Sequence, residues 1–236
     1  MSLSKIVFVC VPYFPNPCSF RKYICFLKEQ GLRNIEICFP FSNSILDGSV
    51  IKSSYYSSLC YGDAYKSFII GLDFIISRGF FRIFVIIPGF TLGNLKFIGS
   101  LFYRDKYIYG YIIPDINPKY NCIPYFIKPK IYQFSNCDSL ISNITTKRMY
   151  ISLQNITGGS IVINNKFLNY IRLITIKYKY NVIVGFGIRR ISHVLYFYKH
   201  VRYVVVGSKL ISFLNKDIFL AFRFIKYVKD KIKKNW

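Results

Sequence analysis

Eight short runs rich in Val, Ile, Phe and Tyr punctuate this chain, and segments with helical spacing lie between them. The runs cover residues 6–11, 34–39, 83–87, 109–113, 130–134, 150–153, 181–184 and 203–206. Most are continuous apolar runs rather than alternating ones. A strand buried on both faces, as in a parallel sheet, has that pattern; a strand with one wet face alternates. The pattern therefore predicts an α/β fold of parallel strands and crossover helices. Eight strands suggest a single (β/α)8 barrel, the TIM-barrel architecture. The fifth and sixth runs carry the weakest signal.

Between the strands, residues 17–30 form the clearest predicted helix. Asn16 can cap it, Pro17 suits its first position, Gly31 suits its end, and Phe20, Ile24 and Leu27 make its apolar stripe. A second helix is expected over about residues 165–179, with Leu168, Ile171 and Ile174 on one side. A third follows Ile188, carrying Ile191, Val194, Leu195 and Tyr198. The tail over residues 218–236 is basic and amphipathic. Ile218, Phe222, Ile225 and Ile232 recur at helical spacing, and lysines take the other positions. It suits the last barrel helix with a solvated face.

A chain of 236 residues suits one such barrel if helices and loops are short. A hydrophobic content of 53% is ample for a core. No repeat of fixed period and no linker rich in Gly, Ser or Pro divides the chain, so residues 1–236 are expected to form one domain. The longest charge-free apolar stretch, residues 83–95, contains Pro88, Gly89 and Gly93, so no membrane span is expected. The N-terminus lacks a small-x-small cleavage site, and Pro12 interrupts its apolar run.

The formal net charge of +23 raises the prospect of a polyanion partner. The residues that crowd the sequence (Phe, Ile, Lys, Asn, Tyr) are those with AT-rich codons, and Ala occurs only at Ala64 and Ala221. The lysines are scattered rather than gathered on one element. Mutational bias accounts for that distribution better than a nucleic-acid face does, and neither nucleic acid nor membrane is expected as a partner. The seven cysteines include no CxxC pair, and the histidines are only His193 and His200. A zinc site is not expected, and the thiols fit a reducing cytoplasm.

Acidic residues are scarce, ten in all, so their positions carry information. Glu36 interrupts an apolar strand. A carboxylate there points into the barrel or its mouth, and burial of an ionisable group is costly without a role or a partner. Asp47 follows in the next loop, before Gly48. In a (β/α)8 barrel the loops after the strands build the active-site face, so the two acids would share one site. Two plainer readings remain open on these residues alone: a buried ion pair for Glu36 and a simple turn for Asp47-Gly48. Gly185-Phe186-Gly187-Ile188 after the seventh run and Gly207-Ser208 after the eighth stand where barrel enzymes hold phosphate. Glycines let backbone N–H groups approach phosphate oxygens, a helix N-terminus favours the anion, and Ser208 can both cap and donate.

The stretch from Asn34 to Ile51, with Glu36, Pro40-Phe41-Ser42, Asp47-Gly48 and Ile51 at matching spacing, resembles the signature of the tryptophan synthase alpha chain family. Asn43, Ser44, Ser49 and Lys52 depart from it. The resemblance extends to Val11-Pro12-Tyr13, Ile113-Pro114-Asp115, Ile156-Thr157-Gly158, Gly185-Phe186-Gly187-Ile188 and Gly207-Ser208. It implies retro-aldol cleavage of indole-3-glycerol phosphate to indole and glyceraldehyde 3-phosphate, a lyase reaction of tryptophan biosynthesis that needs no cofactor. It implies Glu36 and Asp47 as catalytic carboxylates. Tyr13, Tyr150, Thr157, Gly158, Phe186, Gly187, Gly207 and Ser208 would be the substrate-binding residues. The implied partner is a β subunit, itself a pyridoxal phosphate enzyme, which receives indole in an αββα heterotetramer. Counted without gaps from Thr157, the family's substrate-facing Tyr falls on Met149; one deletion moves it to Tyr150. The family's S-R-S-G loop reads Ser152-Leu153-Gln154-Asn155, its helix before the first strand is missing, and the region between Gly89 and Tyr109 is short. Those departures motivate an alternative, a catalytically decayed subunit that acts as scaffold or allosteric activator of the β subunit. Another phosphate-binding barrel enzyme, such as a sugar-phosphate isomerase, is disfavoured by the Glu–Asp signature.

Overall fold

A computed structural model describes residues 3–43, 47–115, 132–134, 148–152, 169, 171–173, 175–176, 181–185, 187–188 and 190–235. All eight expected strands are present: β1 (Ile6–Cys10), β2 (Asn34–Cys38), β3 (Arg82–Ile86), β4 (Ile108–Ile112), β5 (Tyr132–Phe134), β6 (Arg148–Ser152), β7 (Asn181–Gly185) and β8 (Tyr203–Val206). They form one sheet in the order β4-β3-β2-β1-β8-β7-β6-β5, and every pairing is parallel. The continuous apolar runs have the predicted cause. β1 and β2 are buried at every position, because helices cover one face and the barrel interior the other.

The sheet curls into a (β/α)8 barrel. Phe84 of β3, Tyr109 of β4 and Tyr203 of β8 meet with ring centroids 5.0–5.3 Å apart. Two whole strands, β2 and β1, separate β3 from β8 in the sheet. Their rings can touch only across the interior of a curved sheet. In register, Phe84 pairs with Glu36, and Glu36 with Val9. Paired residues of a parallel sheet point to the same side, so Glu36 and Val9 also face inward.

Helices wrap the outside: α1 (Pro17–Glu29), α2 (Ser49–Leu59), α3 (Ala64–Ser77), α4 (Leu95–Phe102), α5 (Ile191–His200), α6 (Ser208–Lys216) and α7 (Ile218–Lys234). α1 begins as its sequence predicts. Asn16 accepts a hydrogen bond from Ser19 N at 2.8 Å, and Pro17 takes the first turn. Its inner face buries Phe20, Tyr23, Ile24, Phe26 and Leu27, and the Tyr23 hydroxyl donates to Val9 O at 3.0 Å. α5 buries Val194, Phe197 and Tyr198. α7 is the basic tail, packed on α1 through Phe26 and Phe222, stacked 3.9 Å apart. Its fully buried residues are Ala221, Ile225, Val228 and Ile232. Ile218 and Phe222 sit at the margin of that stripe. The helix expected over residues 165–179 lies largely outside the described residues. Among the described residues no helix is long and apolar enough to cross a membrane.

Candidate active site

The C-terminal ends of the strands converge on two acids. Glu36, the middle residue of β2, is 1% exposed. Burial raises its carboxyl pKa to about 8; the nearby Tyr150 hydroxyl opposes that shift, and the negative charge of Asp47 adds to it. Tyr150 belongs to β6, on the far side of the sheet order from β2, so it reaches Glu36 across the barrel interior. Tyr150 is therefore a strand-six residue that faces the acid.

The place for the Tyr150 ring exists because residue 185 is a glycine. A Cβ there would collide with the Tyr150 hydroxyl and ring. β6 and β7 pair Tyr150 with Ile183, which sets Gly185 two residues further up the same inner face.

Asp47 sits half-buried, one residue ahead of Gly48, the N-cap of α2. It lies near enough to raise the pKa values of Glu36, Cys38 and Tyr150. The Tyr55 hydroxyl, from α2, hydrogen-bonds Asp47 and also interacts with Cys38. Cys38, the last residue of β2, is buried, and burial pushes its thiol pKa well above the usual value, with Glu36 and Asp47 adding to the shift. Sequence reasoning assigned no role to Tyr55 or Cys38. Tyr55 lies eight positions after Asp47, on the face of α2 that also carries Ile51 and Ser58, a placement that only the folded helix reveals.

Tyr13 lies in the loop after β1 with a left-handed backbone, φ 60°, a conformation that side-chain-bearing residues rarely adopt. The loop is tied down by α2, where Ser57 Oγ donates to Pro15 O at 3.1 Å and Ser58 Oγ to Pro12 O. Tyr13 packs edge-on to Phe20 at 6.4 Å.

Gly187 and Gly207 stand beyond the ends of the neighbouring strands β7 and β8. Gly187 has φ 87°, which glycine adopts at little cost. Gly207 is the N-cap of α6, and a Cβ there would sit 3.0 Å from Val9 Cγ2. Ser208 is the first residue of α6 rather than its cap, and no side chain caps that helix. The expected capping role of Ser208 is thus taken by the Gly207 backbone. α6 begins directly after β8, and a helix start carries open N–H groups and the positive end of the helix dipole. Val9 neighbours Gly207 on one side and Glu36 on the other. The glycine-lined end and the buried acid therefore occupy adjacent positions on three consecutive strands. Thr157, Gly158 and Phe186 lie outside the described residues. Asp115, after β4, accepts from Gly89 N through both carboxylate oxygens, at 2.8 and 3.0 Å. That ties the β3 and β4 loops together. Among the described residues no group of His, Cys, Asp and Glu could hold a metal ion.

No family model matches the chain. Curated relatives do. The tryptophan synthase alpha chain of Lactococcus lactis subsp. lactis is 26% identical over 211 residues, covering 83% of this chain and 81% of the relative. That of Thermotoga petrophila is 26% identical over 219 residues, covering 86% and 87%. That of Karelsulcia muelleri is 26% identical over 227 residues, covering 86% and 85%. Among solved structures, Mycobacterium tuberculosis tryptophan synthase superposes with a TM-score of 0.76 at 17% identity, covering 93% of this chain and 89% of that one. The Pyrococcus furiosus tryptophan synthase structure gives a TM-score of 0.77 at 20% identity and 98% coverage of both chains. The structural likeness establishes the barrel; the sequence likeness makes the chain a relative of these alpha chains.

Proposed function

We propose that this relative of the tryptophan synthase alpha chains is itself a carbon–carbon lyase that cleaves indole-3-glycerol phosphate to indole and glyceraldehyde 3-phosphate, with residues 1–236 acting as one barrel domain. The observation that carries the reading is the meeting of Glu36, Asp47 and Tyr150 inside the barrel, one strand away from a glycine-lined helix N-terminus.

The chemistry follows from the groups. Cleavage breaks the bond between indole C3 and the first side-chain carbon. C3 must gain a proton, and the hydroxyl on that side-chain carbon must lose one as the aldehyde forms. With a pKa of about 8, Glu36 holds its proton at neutral pH and can deliver it to C3. The carboxylate left behind takes the hydroxyl proton, so the step balances without an external acid or base. As the indole ring accepts the C3 proton, positive charge develops at its nitrogen. Asp47 accepts the ring N–H and stabilises that charge in a partly water-excluded site. Tyr150 and Tyr13 line the substrate, and the resemblance to the alpha chains assigns Thr157 and Gly158 to substrate binding as well.

The phosphate binds at the far end. Gly187, Gly207 and Ser208 offer backbone N–H groups and a hydroxyl, and the same resemblance assigns Phe186 to substrate binding. Strands lie about 4.8 Å apart, so Gly207 and Glu36, two strands apart, are separated by about 10 Å. That span suits a glycerol phosphate chain with its indole end at the acid. No cofactor is required by this mechanism.

A β subunit is the expected partner, by likeness to Pyrococcus furiosus tryptophan synthase, whose α2β2 complex shows mutual activation. The free thiols of Cys10, Cys18, Cys25, Cys38 and Cys60 are in keeping with a cytoplasmic protein. Incubation of the purified chain with indole-3-glycerol phosphate, with and without a β subunit, tests the activity by release of indole. Absence of indole in both reactions overturns it and favours a subunit that only activates its partner.

A further inference from the structure

We infer that Tyr55 is a positioning residue of the cleavage reaction: its hydroxyl, held by α2 and linked to Cys38, fixes the Asp47 carboxylate in the orientation that receives the indole N–H. The inference rests on the lyase reading above and extends it to a residue outside the matched motifs.

Asp47 needs such a support. It stands before α2 begins, with the flexible Gly48 next to it, so neither strand nor helix geometry sets its side-chain direction. Tyr55 is well placed to supply it. It is 2% exposed and lies on the buried face of α2 with Ile51, Ser54 and Ser58. Side chains on a helix lean toward its N-terminus, so Tyr55 leans back toward the start of α2, where Asp47 lies. Its ring stacks on Phe41 at 5.5 Å, with planes 29° apart, which leaves the hydroxyl little freedom to swing away. Phe41 is itself buttressed edge-on by Phe90 at 5.8 Å.

The hydroxyl is the middle of a chain of groups. Cys38, whose thiol keeps its proton, and Asp47 both interact with it. Donors and acceptors match if the Cys38 S–H donates to the tyrosine oxygen and the tyrosine O–H donates to the carboxylate. A hydrogen bond to a charged acceptor in a low-dielectric site is stronger and more directional than one in water. The acid that meets the indole nitrogen is therefore fixed from a rigid helix.

The experiment compares wild type, Tyr55→Phe, Cys38→Ala and the double variant, each measured for indole release and thermal midpoint. Tyr55→Phe keeps the ring and its stacking on Phe41 and removes only the hydroxyl. The expected result is a fall in kcat of about tenfold, with KM within about twofold and the midpoint unchanged. The same loss should appear in the Cys38→Ala background, because the hydroxyl acts through Asp47. An unchanged kcat overturns the inference. So does a loss that accompanies a lowered midpoint, since that marks the hydroxyl as packing support. Failure of the wild type to release indole removes the lyase reading, and this inference with it. Normal wild-type cleavage with an equally active Tyr55→Phe removes this inference alone.

Discussion

Glu36 can act as an acid because burial penalises its charged form more than the Tyr150 hydroxyl favours it. The same imbalance shapes stability. An unfolded Glu titrates near 4.5 and this one near 8, so between those values the folded state binds the extra proton. Stability is then full below pH about 4.5, falls as pH rises toward 8, and levels off above it. Glu36→Gln, which keeps shape and loses the charge, should abolish cleavage, leave the fold intact and flatten this pH dependence. Above pH 8 the variant should be more stable than wild type by on the order of a few kcal/mol. Denaturant titrations of both proteins at pH 5, 7 and 9 check this; parallel curves at all three would show that Glu36 does not carry the proton. In wild type, turnover should decline as pH passes about 8 and the acid is lost. The neighbouring glycine makes a separate claim. Gly185→Ala puts a methyl group where the Tyr150 hydroxyl lies. Overpacking of this kind costs about 1–3 kcal/mol, and displacement of Tyr150 should cost at least tenfold in kcat. Retained turnover would mean that Tyr150 does not face the substrate. Glu36 and Asp47 drew notice in the sequence as polar exceptions in apolar or glycine-bearing contexts, and the family resemblance, not those contexts, singled them out as a pair. Tyr55 was not legible: among 21 tyrosines, nothing in its immediate neighbours sets it apart, and only the α2 geometry aims it at Asp47.

At the scale of elements, all eight strands were legible within about two residues, because double-sided burial writes a continuous apolar run into most of them; β5 and β6, with Gln133 and Arg148, carried the weakest signal. α1 was legible for a different reason: its cap, its first-turn Pro17 and the following Gly31 agree with its stripe. That agreement gives a prediction. Asn16→Ala should remove the bond to Ser19 N and destabilise the protein by about 1 kcal/mol without changing cleavage. Chemical denaturation reads the difference, and an unchanged midpoint would show that the cap contributes nothing measurable. The helices the sequence hid are those whose patterns are blurred. α2 reads SVIKSSYYSSL, and serines occupy two of its four buried positions, Ser54 and Ser58. Ser58 Oγ is satisfied by Pro12 O, so the β1 loop, far away in sequence, decides that a polar residue faces inward. α3 carries a capping Asp63 that accepts from Lys66 N at 2.8 Å, but apolar residues on several of its faces obscure its period. In α7 the buried stripe runs through Ala221 and Val228 rather than Phe222, since α1 meets the aromatic ring at the stripe's edge. Register and contact with distant segments set these details, and neither is a local property of the chain.

For the whole molecule the decisive quantity is charge. With 33 basic and 10 acidic residues, most cations have no acid to meet. Among the described residues the ion pair between Arg104 and Asp73, at 2.6 Å, stands alone. Other cations rest on neutral groups. Lys28 donates to Gly79 O at 2.8 Å and lies over Phe80 at 5.6 Å, and Arg78 lies over Phe74 at 4.7 Å. Such contacts hold individual side chains but leave the net repulsion in place. Repulsion spread over the surface is weakened by salt, whose screening length falls from about 30 Å at 0.01 M to about 10 Å at 0.1 M. The thermal midpoint should therefore rise by several degrees between about 0.01 M and 0.5 M sodium chloride; a stabilisation of 1 kcal/mol moves the midpoint by about 2–4 °C in a chain of this size. A flat or falling midpoint would show that the excess charge costs the folded state nothing. Short duplex DNA separates this from selected binding. A dedicated basic face would bind it and raise the midpoint at about 0.15 M salt, whereas scattered lysines lose most of their hold on phosphates as salt rises. No shift with DNA, together with a rise with salt, is the result expected of a barrel whose charge is a burden it tolerates rather than a surface it uses.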